Sequence, residues 1–169
     1  MYFLNMKYLF LLIITALFNI TSLSYLFSQE EKPMLIGNFF WNEWLKETGW
    51  DNSGFLSYNP SDEKINTIKK LISEKNITFL IFGGSWCSDT KSELPKIFKI
   101  FSLCDLDINK IEIIGVDRQK SEPSGKSMLH HIERVPTLII LSENTELGRI
   151  TEFPVISWED DLIKILESK

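Results

Sequence analysis

The chain is poor in cysteine and carries no excess of positive charge. Only two of its 169 residues are cysteines, and 18 Lys and Arg side chains stand against 23 Asp and Glu, a formal net charge of −5. Nucleic-acid binding usually requires a basic face, so we exclude that class of partner. The sequence has no internal repeat and no low-complexity tract. With 44% hydrophobic and 24% charged residues, the composition indicates one ordinary globular domain with a short additional segment.

Residues 1–28 differ from the rest of the chain. A single cation, Lys7, precedes an apolar run from Tyr8 to Phe27, and no cysteine is present there for lipid attachment. A charged start, an apolar run and then small residues are typical of a secretory signal peptide. The run also has about the 20 residues that a membrane helix requires, so residues 8–27 alternatively form a tether. Both interpretations predict an exported protein: periplasmic or secreted, or membrane-anchored with its domain outside the cytoplasm.

Residues 29–60 are rich in aromatic side chains. Trp41, Trp44 and Leu45 share one face of a short predicted helix, and Gly49 follows as a natural stop. We predict an N-terminal extension that packs on the main domain; a peptide-binding platform is the alternative.

Residues 61–169 alternate between helix and strand patterns in the order α-β-α-β-α-β-β-α. Ser61 and Ser157 are suited to cap the first and last helices. The predicted strands are 77–82, 111–116, 137–141 and 147–153, the last two forming a hairpin about residues 143–146. An early βαβ unit gives parallel strands and the hairpin adds antiparallel ones. We therefore predict an α/β domain with a mixed central sheet flanked by helices.

Cys87 lies between the first predicted strand and the helix that follows it. Free N–H groups and the positive end of the helix dipole favour a thiolate at a helix start, so this position predicts a nucleophilic thiol. A small, buried and inert cysteine is the alternative. Asp89 brings a negative charge close to the sulfur and opposes thiolate formation, although it also stabilises the first helical turn.

Cys104 is the other cysteine, and it falls near the end of the same predicted helix. If residues 88–103 are helical, the two cysteines lie roughly 25 Å apart. Disulfide-bonded residues have Cα atoms within about 7 Å, so we exclude a Cys87–Cys104 disulfide. Cys104 is interpreted as a partly buried bystander.

Several motifs accompany Cys87. Trp86-Cys87-Ser88-Asp89-Thr90 follows an apolar strand, Pro95 lies inside the next helix, and Val135-Pro136-Thr137 enters a later strand. In these motifs and in their spacing, residues 61–169 resemble the thioredoxin-like superfamily. The resemblance implies a thioredoxin-like fold and thiol–disulfide exchange at Cys87.

The sequence departs from thioredoxin at three positions, one of which is Asp89, whose charge opposes a thiolate at Cys87. Thioredoxins carry a second cysteine three residues after the first, where this chain has Thr90. Its hydroxyl is expected to donate a hydrogen bond to the Cys87 sulfur, but it cannot form a disulfide. A mixed disulfide on Cys87 must therefore be released by an external thiol. Ile81 replaces the buried acid of the family, so that proton-handling group is missing.

The resemblance also implies a substrate groove. Pro136 matches the cis-proline that faces the reactive cysteine, and Val135 offers backbone hydrogen bonds to an extended substrate segment. Trp86 forms the apolar rim of the same groove.

These residues predict a single-cysteine thiol–disulfide exchange protein that acts on proteins or small thiols carrying disulfides. A binding or chaperone-like module without redox chemistry and a cysteine redox sensor are the alternatives. We predict no cofactor. We also predict no metal site, because the adjacent His130 and His131 point in different directions and no third ligand accompanies them. Lys120 and other lysines are interpreted as solvated surface.

Overall fold

The computed structural model describes residues 34–168. The predicted signal or anchor, residues 1–28, and the start of the extension lie outside the described residues. The strands are β1 (Gly37–Phe40), β2 (Ile77–Gly83), β3 (Glu112–Gly115), β4 (Thr137–Ser142) and β5 (Thr145–Thr151). The helices are α1 (Trp41–Thr48), α2 (Ser53–Ser57), α3 (Asp62–Ser73), α4 (Ser88–Leu103), α5 (Lys126–Leu129) and α6 (Trp158–Glu167).

The five strands form one mixed sheet in the order β1-β3-β2-β4-β5. β2 and β3 run parallel because α4 connects them as a crossover, whereas the other neighbouring strands are antiparallel. The prediction of an α/β protein with a mixed sheet is confirmed. Because β2 and β3 are parallel, the segments that follow them leave the sheet at the same side, where the carboxyl ends of both strands lie. That side carries Cys87.

β1 was not predicted. It pairs antiparallel with β3, with Phe39 opposite Ile113, and therefore forms one edge of the sheet. The aromatic residues that follow are part of the main core, since Trp41 and Trp44 are buried and Trp41 stacks on Phe98 with ring centres 4.5 Å apart. Residues 34–60 are thus built into the same compact unit as the rest of the described chain.

The hairpin is tighter than its sequence indicates. β4 ends at Ser142 and β5 begins at Thr145, so only Glu143 and Asn144 form the turn. Both have positive φ, 50° and 67°. Two positive φ angles suit the right-handed twist of paired strands, but Glu rarely adopts them, and the local signal for this turn was therefore weak.

The two faces of the sheet are covered differently. On one face, residues such as Ile81 and Ile113 pack against α1, α3, α4 and α6 to form the larger core. On the other face, a smaller cluster includes Phe82, Ile114 and Val135 and is covered by the segment around the four-residue α5. Trp86 and Cys87 pack against this smaller cluster, so the candidate site belongs to the thinly covered face.

α4 packs in the larger core and begins at the candidate site. It begins after Cys87 and ends before Cys104, which are its N-cap and C-cap residues. Pro95 lies inside it, as predicted, and is buried. Gly54 of α2 packs on that proline so closely that a Cβ there would lie 3.1 Å from the Pro95 Cβ. No helix of residues 34–168 combines the length and apolar character needed to cross a membrane.

Candidate functional site

Cys87 lies where β2 gives way to α4. The strand ends at Gly83, and a short turn follows in which the Cys87 N–H donates to the Gly84 carbonyl at 2.9 Å. The Cys87 carbonyl then accepts the first bond of α4, from the Lys91 N–H at 3.1 Å. The side chain is half-buried and its thiol is free of any disulfide. The predicted placement of Cys87 at a helix start is confirmed.

The Val135–Pro136 segment faces this sulfur. The peptide bond between the two residues is cis, as the resemblance implied. The Cys87 thiol donates to the Val135 carbonyl with an Sγ–O distance of 3.3 Å. Both residues of the segment are buried. The fold therefore brings together two motifs that lie 48 residues apart in the sequence.

Thr90 does not make the contact expected from the sequence. Its hydroxyl accepts a hydrogen bond from the Gly84 N–H at 3.2 Å, and within residues 34–168 it makes no bond to the Cys87 sulfur. The side chain is fully buried, and its methyl group lies beneath Gly83, 3.2 Å from where a Cβ would stand. Thr90 therefore points under the turn, whereas the sulfur points across it towards Val135. The hydroxyl holds the turn in place.

Trp86 forms a half-buried wall beside the sulfur. Its indole N–H donates to the Val116 carbonyl at 2.9 Å, which fixes the ring against the end of β3. Gly84 is required by this position of the ring, because a Cβ there would lie only 2.7 Å from an atom of Trp86. Of the predicted substrate residues, Val135 contacts the Cys87 sulfur through its carbonyl, and Trp86 packs with Cys87 against the apolar cluster that contains Val135.

Two cations lie over the Trp86 ring, and the sequence motifs did not predict them. The Arg118 guanidinium lies 5.1 Å and the Lys120 ammonium 5.6 Å from the ring centre, distances at which the indole face attracts a cation. Lys120, interpreted from the sequence as solvated surface, is half-buried and also lies over the Trp86 ring. The parallel pairing of β2 and β3 was the available signal, since loops that follow parallel strands meet at one sheet edge.

The loop that carries these cations is a defined turn. Lys120 has φ of 61°, and its N–H donates to the Asp117 carbonyl at 3.0 Å. The Asp117 carboxylate accepts from the Ser121 N–H at 2.8 Å. Within residues 34–168, neither Arg118 nor Lys120 has a carboxylate within 4 Å. The positive charge beside Trp86 is therefore not neutralised by an ion pair.

Cys104 closes the other end of α4. Its side chain is 5% exposed, and its thiol faces the Ile65 carbonyl with an Sγ–O distance of 3.8 Å. Burial raises the pKa of this thiol to about 11; the nearby Lys69 opposes the shift and Asp105 adds to it. Both cysteines are free, so the exclusion of a Cys87–Cys104 disulfide is confirmed.

The remaining predicted residues lie around this centre. Asp89 is half-exposed in the first turn of α4 and accepts a bond from the Ser88 hydroxyl at 3.3 Å. Ile81 is fully buried in the larger core. The described residues contain no group of three His, Cys, Asp or Glu side chains able to hold a metal ion.

No protein-family model matches this chain, and a comparison with curated proteins finds no significant similarity.

Proposed function

We propose that this chain is a thioredoxin-like protein that exchanges disulfides through Cys87 alone. One observation carries the proposal: the Cys87 sulfur stands at the start of α4 and 3.3 Å from the carbonyl next to the cis Val135–Pro136 bond. A half-buried thiol at a helix start, open on one side and lined by main chain on the other, suits nucleophilic exchange.

The exchange has two steps. The Cys87 thiolate attacks one sulfur of a disulfide in a protein or a small thiol. A new S–S bond forms to Cys87, the old S–S bond breaks, and the departing sulfur leaves as a thiolate that takes up the proton lost by Cys87. An external thiol then attacks the mixed disulfide and returns Cys87 to its starting form. Cys104 takes no part in either step, because it lies buried at the far end of α4.

Main-chain groups beside Cys87 suit an extended substrate. In the free protein the Val135 carbonyl accepts from the Cys87 thiol, and the Pro136 carbonyl accepts from the Glu152 N–H at 2.7 Å. A mixed disulfide has no S–H donor, so its formation releases the Val135 carbonyl. That oxygen then accepts an N–H from the substrate segment, which is strand addition and requires no particular side chains.

Thr90 takes a different role from the one its motif position indicates. Its hydroxyl bonds to the Gly84 N–H, so it fixes the turn that presents Cys87. We propose that Thr90 is a positioning residue and that the released thiolate is stabilised by the N–H groups at the start of α4. The proposed setting is an exported protein whose residues 1–28 direct or tether it.

A binding module without redox chemistry is the second candidate. The position of Thr90 favours it, since its hydroxyl bonds to the Gly84 N–H and not to the sulfur. Such a module would hold extended chains against Trp86 and Val135 by the same main-chain groups.

Two matched cysteine variants separate these functions. We expect Cys104→Ser to react with the neutral disulfide 4,4′-dithiodipyridine at the parent rate and Cys87→Ser to react on the order of 100-fold more slowly, because the remaining thiol is buried. Release of thiopyridone measures the rate, and turnover with an excess of a small thiol measures resolution. Equal, slow rates in both variants, with binding of an extended peptide unchanged, would establish the binding module instead. Reversible capping of Cys87 without turnover would indicate a redox sensor.

A further inference from the structure

The positive charge over Trp86 has no part in the exchange steps. Arg118 and Lys120 come from the turn after β3, whereas Cys87 comes from the turn after β2. Both turns meet at Trp86, whose ring lies under the two cations and whose chain neighbour is Cys87. Trp86 and Cys87 also pack against the same apolar cluster.

Of the thirteen other basic side chains in residues 34–168, seven have a carboxylate within 4 Å and six have none. Lys96, Arg134 and Arg149, for example, each have a carboxylate within 3 Å. Among residues 34–168, Arg118 and Lys120 have no carboxylate within 4 Å, although the chain as a whole carries a net charge of −5. The ring and the defined turn hold both cations at the rim of the site, and a ligand there can supply the missing negative charge.

We infer that the disulfide attacked by Cys87 carries a carboxylate close to its sulfur and that Arg118 and Lys120 bind this carboxylate. The inference rests on the proposed function and names its substrate class. The shared chemistry is a disulfide flanked by an acidic group, in a small peptide-like thiol or next to a cysteine in a protein.

The cations act on binding and approach, and they leave the covalent step unchanged. Cys87 still forms the new S–S bond, and the departing sulfur still takes up the proton. A unit charge about 6 Å away in water changes an encounter about threefold. Two cations together therefore predict a preference on the order of tenfold for an anionic over a neutral disulfide of the same shape.

Three small disulfides of equal length test this preference. Dithiodipropionate is anionic, 2-hydroxyethyl disulfide is neutral and cystamine is cationic, and each has two carbons between sulfur and end group. The rate of mixed-disulfide formation with Cys104→Ser protein is followed by intact mass. Each rate is divided by that of the same protein unfolded in urea, which removes the intrinsic reactivity of the reagent. We expect the order anionic, neutral, cationic, and we expect it to collapse at high salt.

Charge variants locate the effect. Arg118→Gln and Lys120→Gln are each expected to lower the normalised rate with dithiodipropionate about threefold, to raise that with cystamine and to leave that with the neutral reagent within twofold. Lys164→Gln is the matched control, since it removes one exposed charge from α6 and should change none of the three rates. A peptide disulfide flanked by Glu, compared with dithiodipropionate, shows whether a protein segment or a small thiol gains more.

The outcomes separate the two claims. Equal normalised rates for all three reagents, or a Lys164→Gln effect as large as the Arg118→Gln effect, overturn the inference and leave the exchange function standing. No reaction of Cys87 with even the neutral reagent overturns the exchange function itself.

Discussion

The two ends of α4 carry the same residue type in opposite settings. Cys87 is the N-cap and Cys104 the C-cap, and each thiol faces a backbone carbonyl, of Val135 and of Ile65 respectively. Cys87 is nonetheless half-buried at the edge of the sheet, whereas Cys104 is 5% exposed and packed in the larger core. The two cysteines therefore differ in burial and in the helix end that they occupy, and they do not differ in the kind of hydrogen-bond partner.

The direction of α4 and burial have the same effect on ionisation of the Cys104 thiol. The start of a helix presents free N–H groups and partial positive charge, and its end presents free carbonyls and partial negative charge. At the C-terminal end, burial also raises the pKa of the Cys104 thiol to about 11. Both burial and the negative end of the helix dipole therefore oppose a thiolate at Cys104.

Alkylation of the folded protein measures this contrast directly, and its effect is the largest expected. At pH 7 a thiol with pKa of about 11 is ionised in roughly one molecule in 10,000, so we expect Cys104 to react with iodoacetamide at least about 100-fold more slowly than Cys87. Because this pKa is raised, the Cys104 rate should climb about tenfold per pH unit towards 11. Peptide mapping by mass spectrometry assigns each site.

The unfolded protein is the control for this measurement. In urea both cysteines lose their environments, and their alkylation rates should agree within a few-fold. Similar rates in the folded protein would contradict the comparison and would show that the end of α4 opens readily.

Removing the Thr90 hydroxyl tests whether this group stabilises the turn before α4 or assists the Cys87 sulfur. Thr90→Val keeps the shape of the side chain but leaves the Gly84 N–H without its acceptor, so we expect the free energy of unfolding to fall by about 1–2 kcal/mol. The rate of Cys87 alkylation should change less than about threefold, because the hydroxyl does not contact the sulfur. Urea unfolding and iodoacetamide kinetics measure the two quantities.

Thr67→Val on α3 is the matched control, since that hydroxyl bonds only to the Glu63 carbonyl at an exposed place. Thr67→Val should lower the free energy of unfolding by no more than about 0.5 kcal/mol. A tenfold loss of Cys87 reactivity in Thr90→Val at unchanged stability would restore the catalytic role that the motif predicted.

The charge of Asp89 gives the smallest expected effect. Asp89→Asn removes a negative charge near the sulfur, so we expect Cys87 to be alkylated about two- to threefold faster. The same change removes a favourable interaction with the helix dipole and lowers the free energy of unfolding by about 0.3–1 kcal/mol. Asp62→Asn, in the first turn of α3, should show the stability loss alone. A slower Cys87 in Asp89→Asn would be the contrary result.

Local sequence patterns predicted most of the helices and strands. They failed where residues far away in the sequence determine the structure. The apolar run at 77–82 and the capping serine Ser157 act within a few residues, and both are found, with the Ser157 hydroxyl accepting from the Asp160 N–H. β1 has only four residues and takes its hydrogen bonds from β3, more than 70 positions later, so no local pattern marks it. An edge strand of this kind is defined by its partner.

The candidate site divides in the same way. The positions of Cys87, Val135 and Pro136 followed from the spacing of motifs. The bond from Gly84 to Thr90 and the cations over Trp86 depend on side-chain directions across a turn and between two loops, which spacing does not fix.

The antiparallel pairing of β1 with β3 limits how far the chain can be truncated from its N-terminal side. Leu35 donates its N–H to the Ser85 hydroxyl at 2.9 Å, two residues before Cys87, and Gly37–Phe40 covers the outer side of β3. A chain that began at Ser61 would leave β3 as a bare edge with unpaired N–H and carbonyl groups. Such an edge recruits strands from other molecules, so these few residues protect the protein against self-association as well as completing its fold.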